Sequence, residues 1–149
     1  MTKQAPKHGV TGMALSSEEV QAFMDYLVDA TPTKAKVHKK GEEATDSSTR
    51  DAQVYFIEYE ATELYDILQK VAKMVNLYFK YDLSGIEKAQ IVHYKAPSNG
   101  YNYHIDIGAE GTAASRKVSV SIILNDEYEG GEICFRTSEE GTCQKPETG

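Results

Sequence analysis

His104 and Asp106 are the residues of this chain whose types and spacing suit metal chemistry. In an extended strand, two residues separated by one other point to the same face, roughly 6.5–7 Å apart along the backbone. An imidazole and a carboxylate at that spacing can converge on one metal ion. They would be two members of the facial set of two histidines and one carboxylate that holds Fe(II). Because so short a motif also arises by chance, the surrounding sequence must support it.

Length and composition limit what can surround this pair. The chain has 149 residues, enough for a single domain, and its 40% hydrophobic and 26% charged residues are ordinary for a globular protein. A net charge of −7 argues against nucleic acid as a partner. No apolar run reaches the about 18 residues of a membrane span, and the polar stretch 1–12 predicts no secretory signal.

The two cysteines, Cys134 and Cys143, have neither the number nor the spacing of a disulfide framework or a Cys-x-x-Cys motif. Cys134 falls within a predicted strand, where a free cysteine behaves as a small buried hydrophobe. The sequence therefore predicts reduced thiols and a cytoplasmic location.

The first part of the chain predicts supporting elements. Ser16 and Glu19 have the spacing of a capping box, and apolar residues at helical intervals follow as far as residue 27. The polar stretch 39–51 predicts an exposed loop, with a lid over a site as the alternative. Residues 54–57 form a short strand candidate. A broad apolar stripe from Thr62 to Phe79 predicts a helix that faces the core.

After Gly85 the apolar residues alternate, which predicts strands at 89–94, 101–107, 116–124 and 132–136. The stretches 108–115 and 141–149 are predicted loops. Strand 116–124 would have one apolar face, made of Val118, Val120, Ile122 and Leu124. Its other, largely polar face would carry Lys117, Ser119, Ser121 and Ile123 and look into a ligand cavity.

Helices followed by short strands predict an α+β fold. We expect N-terminal helices packed on a double-stranded β-helix of the jelly-roll or cupin kind, an antiparallel double sheet that can enclose a ligand. The whole chain, 1–149, would be one domain. Residues 1–88 would be a supporting region of helices and strands, and 89–149 a partial jelly-roll core that carries the H-x-D motif.

Several motifs in one order carry a family resemblance: Tyr94, the run Gly100-Tyr-Asn-Tyr-His-Ile-Asp106, the predicted strand from Arg116 to Asn125, and Tyr128-Glu-Gly-Gly-Glu132. Together they resemble the Fe(II)- and 2-oxoglutarate-dependent dioxygenases. Within that superfamily the chain is most similar to the prolyl 4-hydroxylase-like group, including its small bacterial and phage members. The resemblance covers roughly residues 53–149.

The resemblance implies that His104 and Asp106 are the first two iron ligands. It implies that Tyr94 reaches 2-oxoglutarate and that Tyr101 lines the site near the substrate, although both could be plain sheet aromatics. Three residues would form the wall of the cosubstrate pocket, namely Ser119, Ser121 and Ile123. The pair Gly130-Gly131 would form a tight turn that only glycine adopts at low cost.

The implied activity is hydroxylation of a C–H bond coupled to decarboxylation of 2-oxoglutarate to succinate, which makes the chain an oxidoreductase. Its cofactors would be Fe(II), 2-oxoglutarate and O2, with an ascorbate requirement implied by the resemblance alone. The substrate would be a prolyl or other side chain of a protein or peptide, or a small molecule. The family also requires a distal histidine and a basic residue for the far carboxylate of 2-oxoglutarate.

No histidine follows His104 in the sequence. We therefore expect an incomplete dioxygenase, either truncated before the strands that would carry the distal histidine or a natural short form, with weak Fe(II) binding and impaired activity. Lys117 is a hypothetical substitute for the missing basic residue. The alternative function is a non-catalytic jelly-roll module that binds a metal or another ligand.

Overall fold

The computed structural model describes residues 8–9, 12–39, 42–136, 141–145 and 147–149. These residues contain three helices, α1 (Ser17–Asp29), α2 (Thr62–Phe79) and α3 (Gly111–Ala114). They also contain seven strands: β1 (Thr33–Lys34), β2 (Val37–Lys39), β3 (Glu42–Ala44), β4 (Gln53–Phe56), β5 (Gln90–His93), β6 (Ile133–Arg136) and β7 (Gly141–Gln144). The predicted α+β class is confirmed. No helix in the described ranges has the length and hydropathy to cross a membrane.

The strands pair only in the antiparallel sense, as a three-stranded sheet in the order β1-β4-β5 and two hairpins, β2-β3 and β6-β7. The chain divides into two compact units that alternate along the sequence. The hairpin unit comprises Met1–Met24, Glu63–Ser84 and Lys117–Gly149. The sheet unit comprises Asp25–Thr62 and Gly85–Arg116, and it contains the H-x-D motif.

The capping box at the start of α1 is confirmed by two reciprocal hydrogen bonds. The backbone N–H of Ser16 donates to Glu19 Oε2 at 2.9 Å, and the N–H of Glu19 donates to Ser16 Oγ at 3.2 Å. Lys70 on α2 forms an ion pair with the same carboxylate. These contacts, led by the bond from Lys70, lower the pKa of Glu19. Two backbone N–H groups at the start of the helix therefore have acceptors, and the Glu19 carboxylate is paired with Lys70.

Helix α2 begins and ends at the predicted residues, Thr62 and Phe79. Its apolar stripe is buried along the first three turns, as expected for a core-facing helix. Together with Leu15 and the start of α1, it supplies the buried apolar residues found in the described part of the hairpin unit: Leu15, Val20, Phe23, Leu64, Tyr65, Ile67 and Val71.

The core of the sheet unit lies on β4 and β5, both close to their predicted positions. Val54 pairs with Val92, and Tyr55 with Ile91. Four of the unit's described residues are buried, Ala35, Val54, Ile57 and Ile91, and Ile57 is only 1% exposed. The end of β4 is also tied to α1, because Tyr26 donates its hydroxyl to the carbonyl of Phe56 at 3.1 Å.

Two predicted strands are wrong. Residues 101–107 and 116–124 contain no strand, apart from a single bridge between Tyr101 and Arg50. Alternation supplies a side-chain pattern, but a strand forms only where a neighbour accepts its backbone hydrogen bonds. The apolar face predicted for 116–124 is not buried either, since Val120 is 47% exposed, and in the other stretch Ile105 is 81% exposed.

The expectations for the cysteines and for residues 141–149 are corrected by the β6-β7 hairpin. Cys134 lies directly opposite Cys143, and the two form a disulfide. Cys134 is therefore a half-buried cross-link and not a free buried thiol. The predicted loop begins with strand β7. The spacing of nine residues did not indicate the bond, because it has no metal or redox signature.

Two predicted loops contain short elements. The stretch 39–51 includes β3, followed by a turn in which Asp46 accepts hydrogen bonds from Ser48 and Thr49. The stretch 108–115 includes the four-residue helix α3. By contrast, the expected glycine turn is confirmed. Gly130 and Gly131 have φ values of 71° and 72°, and a Cβ on Gly131 would lie 2.8 Å from the Tyr128 ring.

Candidate functional site

Backbone hydrogen bonds fix the position of the H-x-D segment within the sheet unit. The N–H of Asn102 donates to the carbonyl of Thr49 at 2.9 Å, and the N–H of Asp51 donates to the carbonyl of Gly100 at 2.9 Å. These bonds flank the bridge between Arg50 and Tyr101. The segment after the Asp46 turn is thereby held against the residues that lead into His104.

The imidazole of His104 is oriented by its own backbone neighbourhood. Its Nδ1 lies 2.7 Å from the carbonyl oxygen of Asn102. Since a carbonyl only accepts, Nδ1 carries the proton in this contact. The other nitrogen, Nε2, lies 3.1 Å from Asp106 Oδ1. In metal sites, such a bond from the non-ligating nitrogen is what fixes the tautomer and aims the lone pair.

The contact between Nε2 of His104 and the carboxylate of Asp106 suits a shared proton or a shared metal ion. Two lone pairs facing each other at 3.1 Å repel unless a proton on Nε2 or a metal ion lies between them. For nitrogen and oxygen ligands each about 2.1 Å from a metal and at right angles, the ligand separation is about 3.0 Å. The observed separation therefore suits either occupant.

Tyr101 packs against the imidazole. The two ring centroids are 3.6 Å apart with the planes within 17° of parallel. Burial raises the pKa of the Tyr101 phenol, partly opposed by the charge of Arg50 and supported by Asp106 and Tyr94. The phenol therefore stays neutral beside the carboxylate at physiological pH. Tyr94 lies close enough to influence it and is itself 42% exposed.

Arg116 anchors the other side of the motif. Its Nε and Nη2 donate to the two carboxylate oxygens of Glu87, both at 2.7 Å, and its Nη1 donates to the backbone carbonyl of Asp106 at 2.6 Å. The bidentate bond lowers the pKa of Glu87 and raises that of Arg116. One arginine thus links residues 87, 106 and 116 by three charge-assisted hydrogen bonds.

The structure brings together four of the residues named from the sequence, Tyr94, Tyr101, His104 and Asp106. The remaining ones, Lys117, Ser119, Ser121 and Ile123, belong to the hairpin unit. Lys117 and both serines are exposed there, and the carbonyl of Ile123 accepts a hydrogen bond from the N–H of Gly149. Among the described residues, no group of three or more His, Cys, Asp or Glu side chains is placed to hold a metal.

Sequence reasoning missed three contributors to the site: Arg50, Glu87 and Arg116. Arg50 lies within the polar stretch 39–51, for which the sequence predicted an exposed loop or a lid over a site, and its guanidinium carbon lies 4.7 Å from the centre of the Tyr101 ring. Glu87 and Arg116 are 29 positions apart in sequence. No local pattern signals such a pairing, because it depends on tertiary contacts.

Comparison with known proteins finds no matching family model, no significantly similar characterised protein and no significantly similar solved structure.

Proposed function

We propose that the chain is an Fe(II)- and 2-oxoglutarate-dependent dioxygenase of the prolyl 4-hydroxylase-like kind, with an incomplete ligand set and impaired activity. The observation that supports this most is the pairing of His104 Nε2 with Asp106 Oδ1 at 3.1 Å, with Nδ1 committed to the carbonyl of Asn102. That arrangement suits two adjacent ligands of a divalent ion. The proposal includes the jelly-roll fold of that family for the core that carries the motif.

The two ligands and the residues that hold them have defined roles under this proposal. His104 and Asp106 would hold Fe(II), which supplies the oxygen chemistry when bound. Tyr101 limits rotation of the imidazole by stacking on it. Arg116 fixes the backbone of Asp106 through its carbonyl and is itself held by Glu87. The protein part of the mechanism is therefore orientation of the two ligands, for a peptide side chain or small molecule as substrate.

The direct test is anaerobic addition of Fe(II) and 2-oxoglutarate to the purified chain, with the visible absorption spectrum as the readout. A weak charge-transfer band is expected in the wild type, and it should be lost in Asp106→Asn. The matched control is Asp82→Asn, which removes one exposed carboxylate elsewhere in the chain. No band at millimolar Fe(II), or an unchanged band in Asp106→Asn, would refute the proposal.

Measurement of turnover tests the proposal that the ligand set is incomplete and the activity impaired. Succinate formed from 2-oxoglutarate under air should stay close to the background of Fe(II) without protein, because the chain supplies two of the three expected ligands. Robust succinate formation by the isolated chain would contradict the description of its site as incomplete.

The second candidate function is a metal- or ligand-binding module without catalysis. It is favoured by the finding that no group of three His, Cys, Asp or Glu side chains lies together in the described part of the chain. This candidate predicts binding of Mn²⁺ or Zn²⁺ at His104 and Asp106 with no effect of 2-oxoglutarate on metal affinity. Tighter Mn²⁺ binding in the presence of 2-oxoglutarate would favour the dioxygenase.

A further inference from the structure

The disulfide between Cys134 and Cys143 joins two strands that differ in exposure. All four residues of β7, Gly141–Gln144, are exposed, whereas Cys134 and Phe135 on β6 are half-buried. One face of the Phe135 ring is covered by the ring of His8, with the ring centroids 4.2 Å apart. The two sulfur atoms of the bond therefore belong to residues with unequal access to solvent, and Cys143 is the more accessible of the two.

Access to solvent determines how a disulfide reacts with a thiol. A thiolate attacks one of the two sulfur atoms and displaces the other, so the reaction depends on which sulfur atom can be reached. Structural disulfides resist this reaction, whereas exposed disulfides are the ones that undergo it readily. Because Cys143 is exposed and Cys134 is half-buried, a thiol from solution should reach the sulfur of Cys143 first.

The hairpin around the bond is able to open and to close again. Among the described residues, β6 and β7 pair with each other and with no other strand. A two-stranded hairpin is marginally stable in water, so β7, which buries no side chain, loosens from β6 once the bond is broken. Directly after β7, the Lys145 ammonium donates to the carbonyl of Tyr128 and lies 4.4 Å from the centre of its ring. Together with the short separation of nine residues between the cysteines, this contact keeps Cys143 close to Cys134.

We propose that this disulfide is a thiol–disulfide exchange site, at which a low-molecular-weight thiol forms a mixed disulfide with Cys143 and Cys134 is the resolving thiol. In the forward step the thiolate of the small molecule attacks Cys143 Sγ. The bond between the two cysteines breaks, and Cys134 Sγ leaves as a thiolate that takes a proton from water. In the reverse step the Cys134 thiolate attacks Cys143 Sγ and releases the small thiol. The site lies in the hairpin unit and uses no residue of the H-x-D motif, so it is independent of the proposed function.

The test is incubation of the native full chain with millimolar reduced glutathione, quenched at early times with N-ethylmaleimide at acidic pH to block free thiols. Cleavage after Arg136 separates the two cysteines, so peptide mass spectrometry assigns each modification to one of them. We expect glutathione on Cys143 and maleimide on Cys134, in at least about tenfold excess over the reverse pattern. No reaction of the native chain would identify an inert structural cross-link, and equal amounts of glutathione on both cysteines would remove the assigned direction. Either result overturns the inference.

The Cys134→Ser variant tests the resolving role. With oxidised glutathione, its Cys143 thiolate attacks one glutathione sulfur and releases the other half as reduced glutathione, so the variant should keep one glutathione in its intact mass. The reduced wild type, treated in the same way, should return to the closed disulfide and keep none. Thr142→Ser retains both sulfur atoms and serves as the matched control, which should behave as the wild type does. Glutathione retained on the reduced wild type would contradict the role of Cys134. Both wild-type measurements decide the matter even if Cys134→Ser does not fold.

Discussion

Strands β4 and β5 and the H-x-D segment lie in the same unit but are held by different forces. The strands form a regular ladder of four residue pairs, and Val54 and Ile91 on them are buried. Residues 101–106 form one bridge, and His104 and Asp106 have side chains 38% and 52% exposed. The segment is positioned by two backbone hydrogen bonds to Thr49 and Asp51 and by the bond from Arg116 to the carbonyl of Asp106, while ring stacking and the His104–Asp106 contact orient its side chains.

This difference indicates that the residues that stabilise the fold are not the residues that would bind a ligand. Burial of apolar side chains is the main source of folding free energy, whereas exposed polar contacts contribute little. Substitutions on β4 and β5 should therefore unfold the chain. Substitutions at His104 and Asp106 should change ligand binding and leave the fold in place.

The largest expected effect is at Ile57, which follows β4 and is 1% exposed. Ile57→Ala should lower the free energy of unfolding by about 2–5 kcal/mol, because it removes buried methyl groups and leaves a cavity. Ile57→Val should cost only about 0.5–1.5 kcal/mol. Urea unfolding monitored by circular dichroism measures both. His104→Ala should change the free energy of unfolding by no more than about 0.5 kcal/mol. If it lowered that free energy as much as Ile57→Ala does, the distinction between the strands and the H-x-D segment would be wrong.

The β6-β7 hairpin tests whether a cross-link can replace burial, since its strand β7 is exposed throughout. Replacing both Cys134 and Cys143 by serine should lower the free energy of unfolding by on the order of 2–3 kcal/mol, because the bond closes a short loop in the unfolded chain. A thiol reductant should destabilise the wild type by a similar amount. The same reductant should have no effect on the double variant, and any effect there would show that it acts elsewhere.

The smallest expected effect concerns the ion pair of Glu87 and Arg116. Arg116 lowers the pKa of Glu87 below its ordinary 4.5, so the folded state favours the ionised carboxyl. The resulting contribution to the free energy of unfolding is fully present above the pKa that Glu87 has in the unfolded chain. It is lost as the pH falls through the pKa of Glu87 in the folded chain. Because both side chains are about 40% exposed, the contribution should stay below about 1 kcal/mol.

Glu87→Gln should therefore flatten the fall in stability between pH 5 and pH 3, as measured by thermal unfolding across that range. Glu60→Gln removes one carboxyl from the same unit and serves as the matched control. A steeper fall in Glu87→Gln than in the control would contradict the assigned sign.

The sequence predicted those elements whose signals are local. The capping box of Ser16 and Glu19, the stripe of α2 and the glycine pair 130–131 each depend on neighbouring residues, and all three are confirmed. The predictions of strands at 101–107 and 116–124 were wrong because an alternating pattern does not specify a pairing partner. Arg50 and Glu87 were missed for the same reason, since their roles arise from contacts between distant segments.

The central claim is that His104 Nε2 and Asp106 Oδ1 share one cation that can be a metal ion. Mn²⁺ binding to the full chain, followed by electron paramagnetic resonance of the free ion, tests it most directly. We predict one weak site in the wild type, weakened at least about tenfold in both His104→Ala and Asp106→Asn and unchanged in His93→Ala. Equal Mn²⁺ binding by the wild type and Asp106→Asn would contradict the claim and leave the contact as a proton-shared ion pair.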